Sequence, residues 1–158
     1  MQKSIITLTI IALVASSCGL AKKQTKITVE NFVGKWKAEY ISEDPTDDLI
    51  NYWFELYLEK DTTQENSLKG WHCSAVRGGR QIDCVDKEYG EEPSLHGYLK
   101  NDTVYLHFDS SFSGEGEAEL YFSESDKNLS NIIWKVSKYK IEHHLPLIDT
   151  LKRITDGL

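Results

Sequence analysis

Apolar and polar residues alternate with a period of two in several separate stretches, and this pattern restricts the fold more than any other feature. The clearest stretches are 35–40, 50–59, 115–122 and 132–137. Successive side chains of a strand point to opposite faces, so this period marks strands with one buried face. The spacing of these stretches predicts an all-β fold of about eight antiparallel strands. Short connections favour an up-and-down barrel, which leaves no exposed strand edges.

The dipeptide Gly78-Gly79 marks a hairpin turn and fixes which residues of its two strands face each other. A two-residue loop and a four-residue loop both place Cys73 directly opposite Cys84. Residues opposite each other in a ladder fall within the Cα separation that a disulfide allows, about 4.4–6.8 Å. The sequence therefore predicts a Cys73–Cys84 disulfide in an oxidising compartment. A reduced pair that acts as a redox or metal site is the alternative.

A second hairpin, which turns at Asn101-Asp102, places His96 opposite His107. Paired imidazoles on one face, about 5 Å apart at Cβ, are candidate ligands for zinc or copper. The alternative is a pair of solvent-exposed histidines, because no third ligand is evident. We expect no other cofactor. The chain also has no Gly-x-Ser-x-Gly, Cys-x-x-Cys or glycine-rich phosphate loop, so we expect no enzyme activity.

The first 20 residues combine Lys3, an apolar run and small residues that end at Cys18. An apolar run of this length is typical of a secretory signal peptide and too short for a membrane span. Ala15-Ser16-Ser17 followed by Cys18 resembles the lipobox of bacterial lipoproteins. The resemblance implies that residues 1–17 are removed as a signal peptide. It also implies that Cys18 carries acyl lipid such as palmitate, at the start of a tether over 18–27. An ordinary secretion signal is the alternative.

The remaining residues, 28–158, form one predicted barrel domain. A short helical turn precedes Gly34-Lys-Trp36 at the start of the first strand. This arrangement resembles the lipocalins and the related calycin barrels. The resemblance implies that Gly34 permits a tight turn and that Trp36 closes one end of the barrel. Arg153 is the candidate for the closing arginine of that family.

The C-terminal segment from 141 to 158 has two interpretations. Leu147, Leu151 and Ile154 follow helical spacing, which predicts a short helix that packs on the barrel. A last strand is the alternative.

The formal net charge of −7 argues against a nucleic-acid partner, because phosphate binding requires a basic face. We therefore expect an envelope lipoprotein, attached to a membrane through its lipid, that acts as a binding module for a protein or a small apolar ligand. A structural or assembly lipoprotein is the alternative, as is an inhibitor or immunity protein that targets an envelope enzyme. An eight-stranded barrel is just wide enough for side chains to fill. Its many aromatic residues favour a filled barrel and hence a partner that binds at the surface.

Overall fold

A computed structural model of the chain describes residues 26–41, 51–111, 114–140 and 144–155. The predicted signal peptide, Cys18 and most of the tether lie outside these residues. The described part is all-β, with two short 3₁₀ turns at Val29–Asn31 and Lys87–Tyr89. Its strands are β1 (Gly34–Tyr40), β2 (Tyr52–Lys60), β3 (Ser67–Val76), β4 (Gln81–Cys84), β5 (Leu95–Lys100), β6 (Thr103–Asp109), β7 (Glu115–Phe122), β8 (Asn131–Tyr139) and β9 (Ile148–Ile154).

Eight of these strands close into an antiparallel barrel, as the alternation predicts. The order is β2-β1-β9-β8-β7-β6-β5-β3, and pairing between β2 and β3 completes the circle. β4 is an additional strand. Along one edge of β3, β5 pairs with residues 67–70 and β4 pairs with residues 73–76.

The C-terminal segment corrects one prediction, because residues Ile148–Ile154 form a strand and not a helix. This strand pairs with β8 on one side and with β1 on the other. The edge of β1 needs a partner for the barrel to close, and that requirement outweighs the helical spacing of the three apolar residues. β9 is thus the eighth barrel strand. The second strand of the hairpin predicted at Gly78-Gly79, β4, lies outside the closed ring.

Both predicted hairpin registers are confirmed. Cys73 pairs with Cys84 and is bonded to it. The turn 77–80 has four residues, which places the two Cα atoms at the narrow, non-hydrogen-bonded type of site. In the second hairpin His96 pairs with His107, and Tyr98 pairs with Tyr105.

The barrel interior is filled by the protein's own side chains. The predicted inward faces are confirmed, since Phe54 and Leu120 are fully buried whereas Glu119 is only half-buried. The ring of Trp134 lies 5.2 Å from the Phe54 ring and 5.8 Å from the Phe108 ring, measured between centroids. The largest fully buried aromatic residues are Phe32, Trp36, Phe54, Phe108 and Trp134.

Chain segments cross both ends of the barrel. At one end, the 3₁₀ turn Val29–Asn31 leads to Phe32, whose ring is buried 4.7 Å from the Phe122 ring. At the other end, the carbonyl oxygen of His144 accepts a 2.8 Å hydrogen bond from Ser74. The Pro146 carbonyl accepts one of 2.7 Å from the indole of Trp134. Ser74 lies on β3 and Trp134 on β8, so the segment 144–146, which contacts both, crosses this end of the barrel.

Candidate binding cleft on the barrel wall

The end of the barrel near the C-terminal segment holds a buried polar cluster. His72 on β3 and Asp83 on β4 both point into the interior, and their side chains are fully buried. The Nε2 atom of His72 lies 3.2 Å from a carboxylate oxygen of Asp83. Its Nδ1 atom lies 2.8 Å from the hydroxyl of Ser94, which directly precedes β5. The cluster therefore joins β3, β4 and the start of β5.

Asp83 also joins this cluster to the loop after β6. Its carboxylate accepts a 2.5 Å hydrogen bond from the Ser110 hydroxyl and a 2.9 Å bond from the Ser111 amide. Burial raises the pKa of Asp83, but the hydrogen bonds from His72 and Ser110 outweigh it, so the pKa lies below its usual range. A buried carboxylate is stable only with such donors. Asp83 therefore fixes two hairpins and a loop in one arrangement.

The serine, histidine and aspartate of this cluster are the residue types of a hydrolytic triad. Nucleophilic chemistry, however, needs a hydroxyl that a substrate can reach. Ser94 is 4 % exposed, and its hydroxyl contacts the buried Nδ1 atom of His72. The hydrogen bonds of the cluster therefore hold the segments at this end of the barrel in one arrangement.

A cleft lies on the outer wall of β1, β2 and β3. The register places Lys35, Tyr57 and Trp71 side by side on this wall. The rings of Tyr57 and Trp71 stack with centroids 5.9 Å apart. The segment after β4 folds back over Trp71, and the Glu91 carbonyl accepts a 2.8 Å hydrogen bond from its indole. The stacked rings thus form the floor of a cleft whose far wall is this segment.

Charged groups surround the aromatic floor. The ammonium of Lys87 lies 4.8 Å from the Tyr57 centroid and 5.3 Å from the Trp71 centroid. The ammonium of Lys35 lies 5.8 Å from the Tyr57 centroid. Lys87 also pairs with Glu59, and their hydrogen bond lowers the pKa of Glu59 and raises that of Lys87. Both cations occupy the distance range of cation–π contacts.

The cleft has a volume of about 430 Å³, which lies within the range of small-ligand and side-chain pockets, about 300–1,000 Å³. Leu56, Val85 and Ile154 add apolar lining, and Cys73 of the disulfide also borders it. The combination of an apolar floor and a rim of both charges suits an amphipathic surface of another molecule. Sequence reasoning missed this cleft, because it depends on the register between three strands.

At the end of the barrel crossed by the 3₁₀ turn Val29–Asn31, the structure brings Gly34, Trp36 and Arg153 together. The guanidinium of Arg153 lies 4.1 Å from the Trp36 ring centroid. It donates a 2.7 Å hydrogen bond to the Val33 carbonyl and a further one to that of Asn31. Burial lowers the pKa of Arg153. Gly34 has a φ of 126°, and a Cβ atom there would lie 3.1 Å from the Arg153 side chain. This position therefore favours glycine.

The ring nitrogens of the two candidate metal ligands, His96 and His107, have different partners. His96 and His107 face each other on the outer wall, but His96 directs Nε2 to the Pro93 carbonyl at 3.0 Å. His107 instead lies 3.4 Å from Asp109, and potential ligand atoms of His107, Asp109 and Glu115 lie within 4.8 Å of one another. Glu115 is paired with Lys140. The cation already held by Glu115 makes this exposed group a poor ion site.

Comparison with known protein families and with curated proteins found no match. Among the described residues, no helix has the length and apolar character needed to cross a bilayer.

Proposed function

We propose that this protein is a non-catalytic binding module of the cell envelope and that its aromatic cleft recognises a protein partner. The observation that carries the proposal is the contrast between the interior and the wall. The interior is occupied by the protein's own aromatic side chains, whereas the cleft lies on the outer wall, where half-buried Tyr57 stacks on the buried Trp71. A partner side chain that enters this cleft meets an aromatic floor and, at the rim, two ammonium groups. Interfaces with buried aromatic anchors commonly bind through such features.

The barrel is, in this proposal, a lipocalin-like scaffold. The contact of Arg153 with Trp36, close to Gly34, supports this relationship. The alternative of a small apolar ligand requires an open interior, which the buried Trp134 and its ring contacts disfavour. An inhibitor or immunity protein would be one form of the proposed function, because both act by binding another protein.

Two tyrosines offer a matched test of the cleft. Tyr57 and Tyr98 both point outward from strands, and each stacks on an aromatic neighbour at a similar centroid distance, 5.9 and 5.8 Å. The lipidated protein and its Tyr57→Ala and Tyr98→Ala variants are used to capture proteins from envelope extract, with quantification by mass spectrometry. We expect a partner that the wild type and Tyr98→Ala retain and that Tyr57→Ala loses by about tenfold or more, because a central aromatic contact carries over 1.4 kcal/mol. Equal capture by both variants contradicts the assignment of the cleft.

The anchor is part of the proposal and has its own test. Two or more acyl chains hold a protein stably on a membrane. Replacement of Cys18 by serine removes the site of acylation, so we expect the Cys18→Ser protein in the soluble exported fraction and the wild type in the membrane pellet. A Cys18→Ser protein that remains in the pellet contradicts lipid attachment at this residue.

A further inference from the structure

β1 and β9 are joined over only part of their length. Pairing connects Lys35 with Ile154, Trp36 with Arg153 and Lys37 with Lys152. Beyond these pairs β1 continues beside β2, and β9 continues beside β8, but no ladder in the described part of the chain joins 38–40 to 148–151. We call the gap between these two stretches the seam. Two strand edges thus face each other across the seam without a partner on that side.

The seam contains a cleft of about 300 Å³. Lys37 and Lys152, at outward positions, form part of its rim, while Glu39, Tyr52, Asp149 and Arg153 also line it. The guanidinium of Arg153 is directed to the Val33 and Asn31 carbonyl groups. This volume equals the lower end of the range for small-molecule and side-chain pockets, about 300 Å³. A cleft of this volume accommodates a side chain.

Asp149 provides a specific signal in the seam. One carboxylate oxygen, Oδ1, accepts a 2.7 Å hydrogen bond from the Thr150 amide. The other, Oδ2, is out of contact with solvent and has no hydrogen-bond partner within the described residues. Burial and a hydrogen bond with the Asp149 side chain raise the pKa of Tyr52. Native proteins pair nearly all buried polar atoms, so a lone carboxylate oxygen indicates a position where an occupant supplies the donor.

Neither lysine at the rim replaces that donor. Lys37 already contacts Glu39 at 2.8 Å and Glu55 at 3.6 Å. Lys152 alternates with Leu151 along β9 and is exposed, whereas Asp149 is paired with the buried Trp134. The two cations therefore lie on the outside of the wall, and the carboxylate lies toward its inside.

Large apolar side chains are exposed on both sides of the seam. Tyr40 and Ile41 are 48 % and 69 % exposed at the end of β1, and Leu147 and Ile148 are 56 % and 64 % exposed at the start of β9. Contiguous exposed apolar groups commonly mark an interaction surface. Here they coincide with strand edges that have no ladder partner.

We propose that the seam binds an extended, basic peptide segment of a partner protein by strand addition. The backbone of the segment pairs with an open edge, as in other cases of β-augmentation. Its apolar side chains cover the exposed residues at the ends of β1 and β9, and a lysine or arginine donates to Oδ2 of Asp149. The unpaired Oδ2 of Asp149 favours a segment that carries a cationic donor. This proposal does not depend on the aromatic cleft.

A displayed library of random peptides, selected on the full-length protein, tests the proposal without knowledge of the partner. Peptides that are enriched are then synthesised, and their affinities are measured for the wild type, Asp149→Asn and Asp109→Asn. Asp109 is the matched control, since it is an exposed strand aspartate elsewhere on the barrel. We expect lysine- or arginine-containing peptides whose affinity falls about tenfold or more in Asp149→Asn and stays unchanged in Asp109→Asn, because charge-assisted hydrogen bonds are strong.

Amide hydrogen exchange on the same complexes locates the peptide and provides the folding control. We expect the bound peptide to protect amides of 38–40 or 148–151, and we expect Asp149→Asn to show the wild-type exchange pattern elsewhere. The absence of enriched peptides overturns the proposal, as do peptides that bind Asp149→Asn with unchanged affinity. Peptides that lose affinity in Tyr57→Ala and not in Asp149→Asn overturn it as well, and leave the aromatic cleft supported.

Discussion

Removal of the Asp83 carboxylate should destabilise the protein strongly. In Asp83→Ala, His72 and Ser110 each lose a hydrogen-bond acceptor in a buried environment. An unsatisfied buried donor costs about 1–3 kcal/mol, so two such donors cost about 2–6 kcal/mol. We therefore expect a loss of about 2–6 kcal/mol in the free energy of unfolding at pH 7. The control is Asp86→Ala, which removes an exposed cap that accepts the Glu88 amide and costs about 1 kcal/mol.

The stabilisation that the Asp83 carboxylate provides should decrease in acid. The pKa of Asp83 is lowered in the folded state, so its contribution is fully present above the unfolded value of about 3.9 and is lost as the pH falls through the folded value. The stability difference between wild type and Asp83→Ala should therefore be constant at neutral pH and shrink below about pH 4. Urea unfolding followed by tryptophan fluorescence at several pH values measures it. A loss no larger than that of Asp86→Ala, or a difference that grows in acid, refutes this account of the cluster.

Three further substitutions test the scaffold by the same unfolding measurement. Replacement of both Cys73 and Cys84 by serine should lower the free energy of unfolding by about 2–3 kcal/mol, because the disulfide closes a short loop. In the wild type, intact mass under non-reducing conditions should show no free thiol at either cysteine. Arg153→Gln should cost about 2–4 kcal/mol through the lost contacts with Trp36 and two carbonyl groups, whereas exposed Lys152→Gln should change stability by less than about 0.5 kcal/mol. Gly97→Ala should cost about 1–3 kcal/mol, because its Cβ would lie 2.4 Å from the Tyr105 carbonyl; equal stability of any of these variants and the wild type contradicts the corresponding contact.

The alternation of residues was sufficient to predict the fold class and the local registers. Leu120 and Phe54 lie inside as predicted, and both hairpins pair as their turns require. These features depend on contacts that are close in sequence, which the period of two and the turn residues determine.

The identity of the eighth strand depends on a contact that is distant in sequence. The apolar spacing of Leu147, Leu151 and Ile154 favoured a helix, but the strand places Leu151 and Arg153 inward and completes the ring with β1. β4 has only four residues and directs Asp83 into the interior, so it closes an end of the barrel and does not complete the wall. Ring closure decides between such alternatives, and local spacing carries no information about it.

The buried cluster left a signal in the sequence, whereas the aromatic cleft did not. The hairpin register puts His72, Ser74 and Asp83 on the face opposite to Cys73 and Cys84, and the structure shows that this face points inward. Polar residues at inward positions indicate a hydrogen-bonded network. The cleft instead depends on the alignment of Lys35 and Tyr57 across β1 and β2, which are joined through a long polar connection. Turn chemistry does not determine that register.

The central claim is that the barrel is filled, so that partners bind on its wall. Titration of the protein with a fluorescent fatty acid, observed through energy transfer from the buried Trp36 and Trp134, tests this claim most directly. The account predicts no saturable energy transfer, because the interior has no room for an acyl chain beside the packed aromatic rings. Saturable one-to-one binding with efficient transfer from these tryptophans would contradict it.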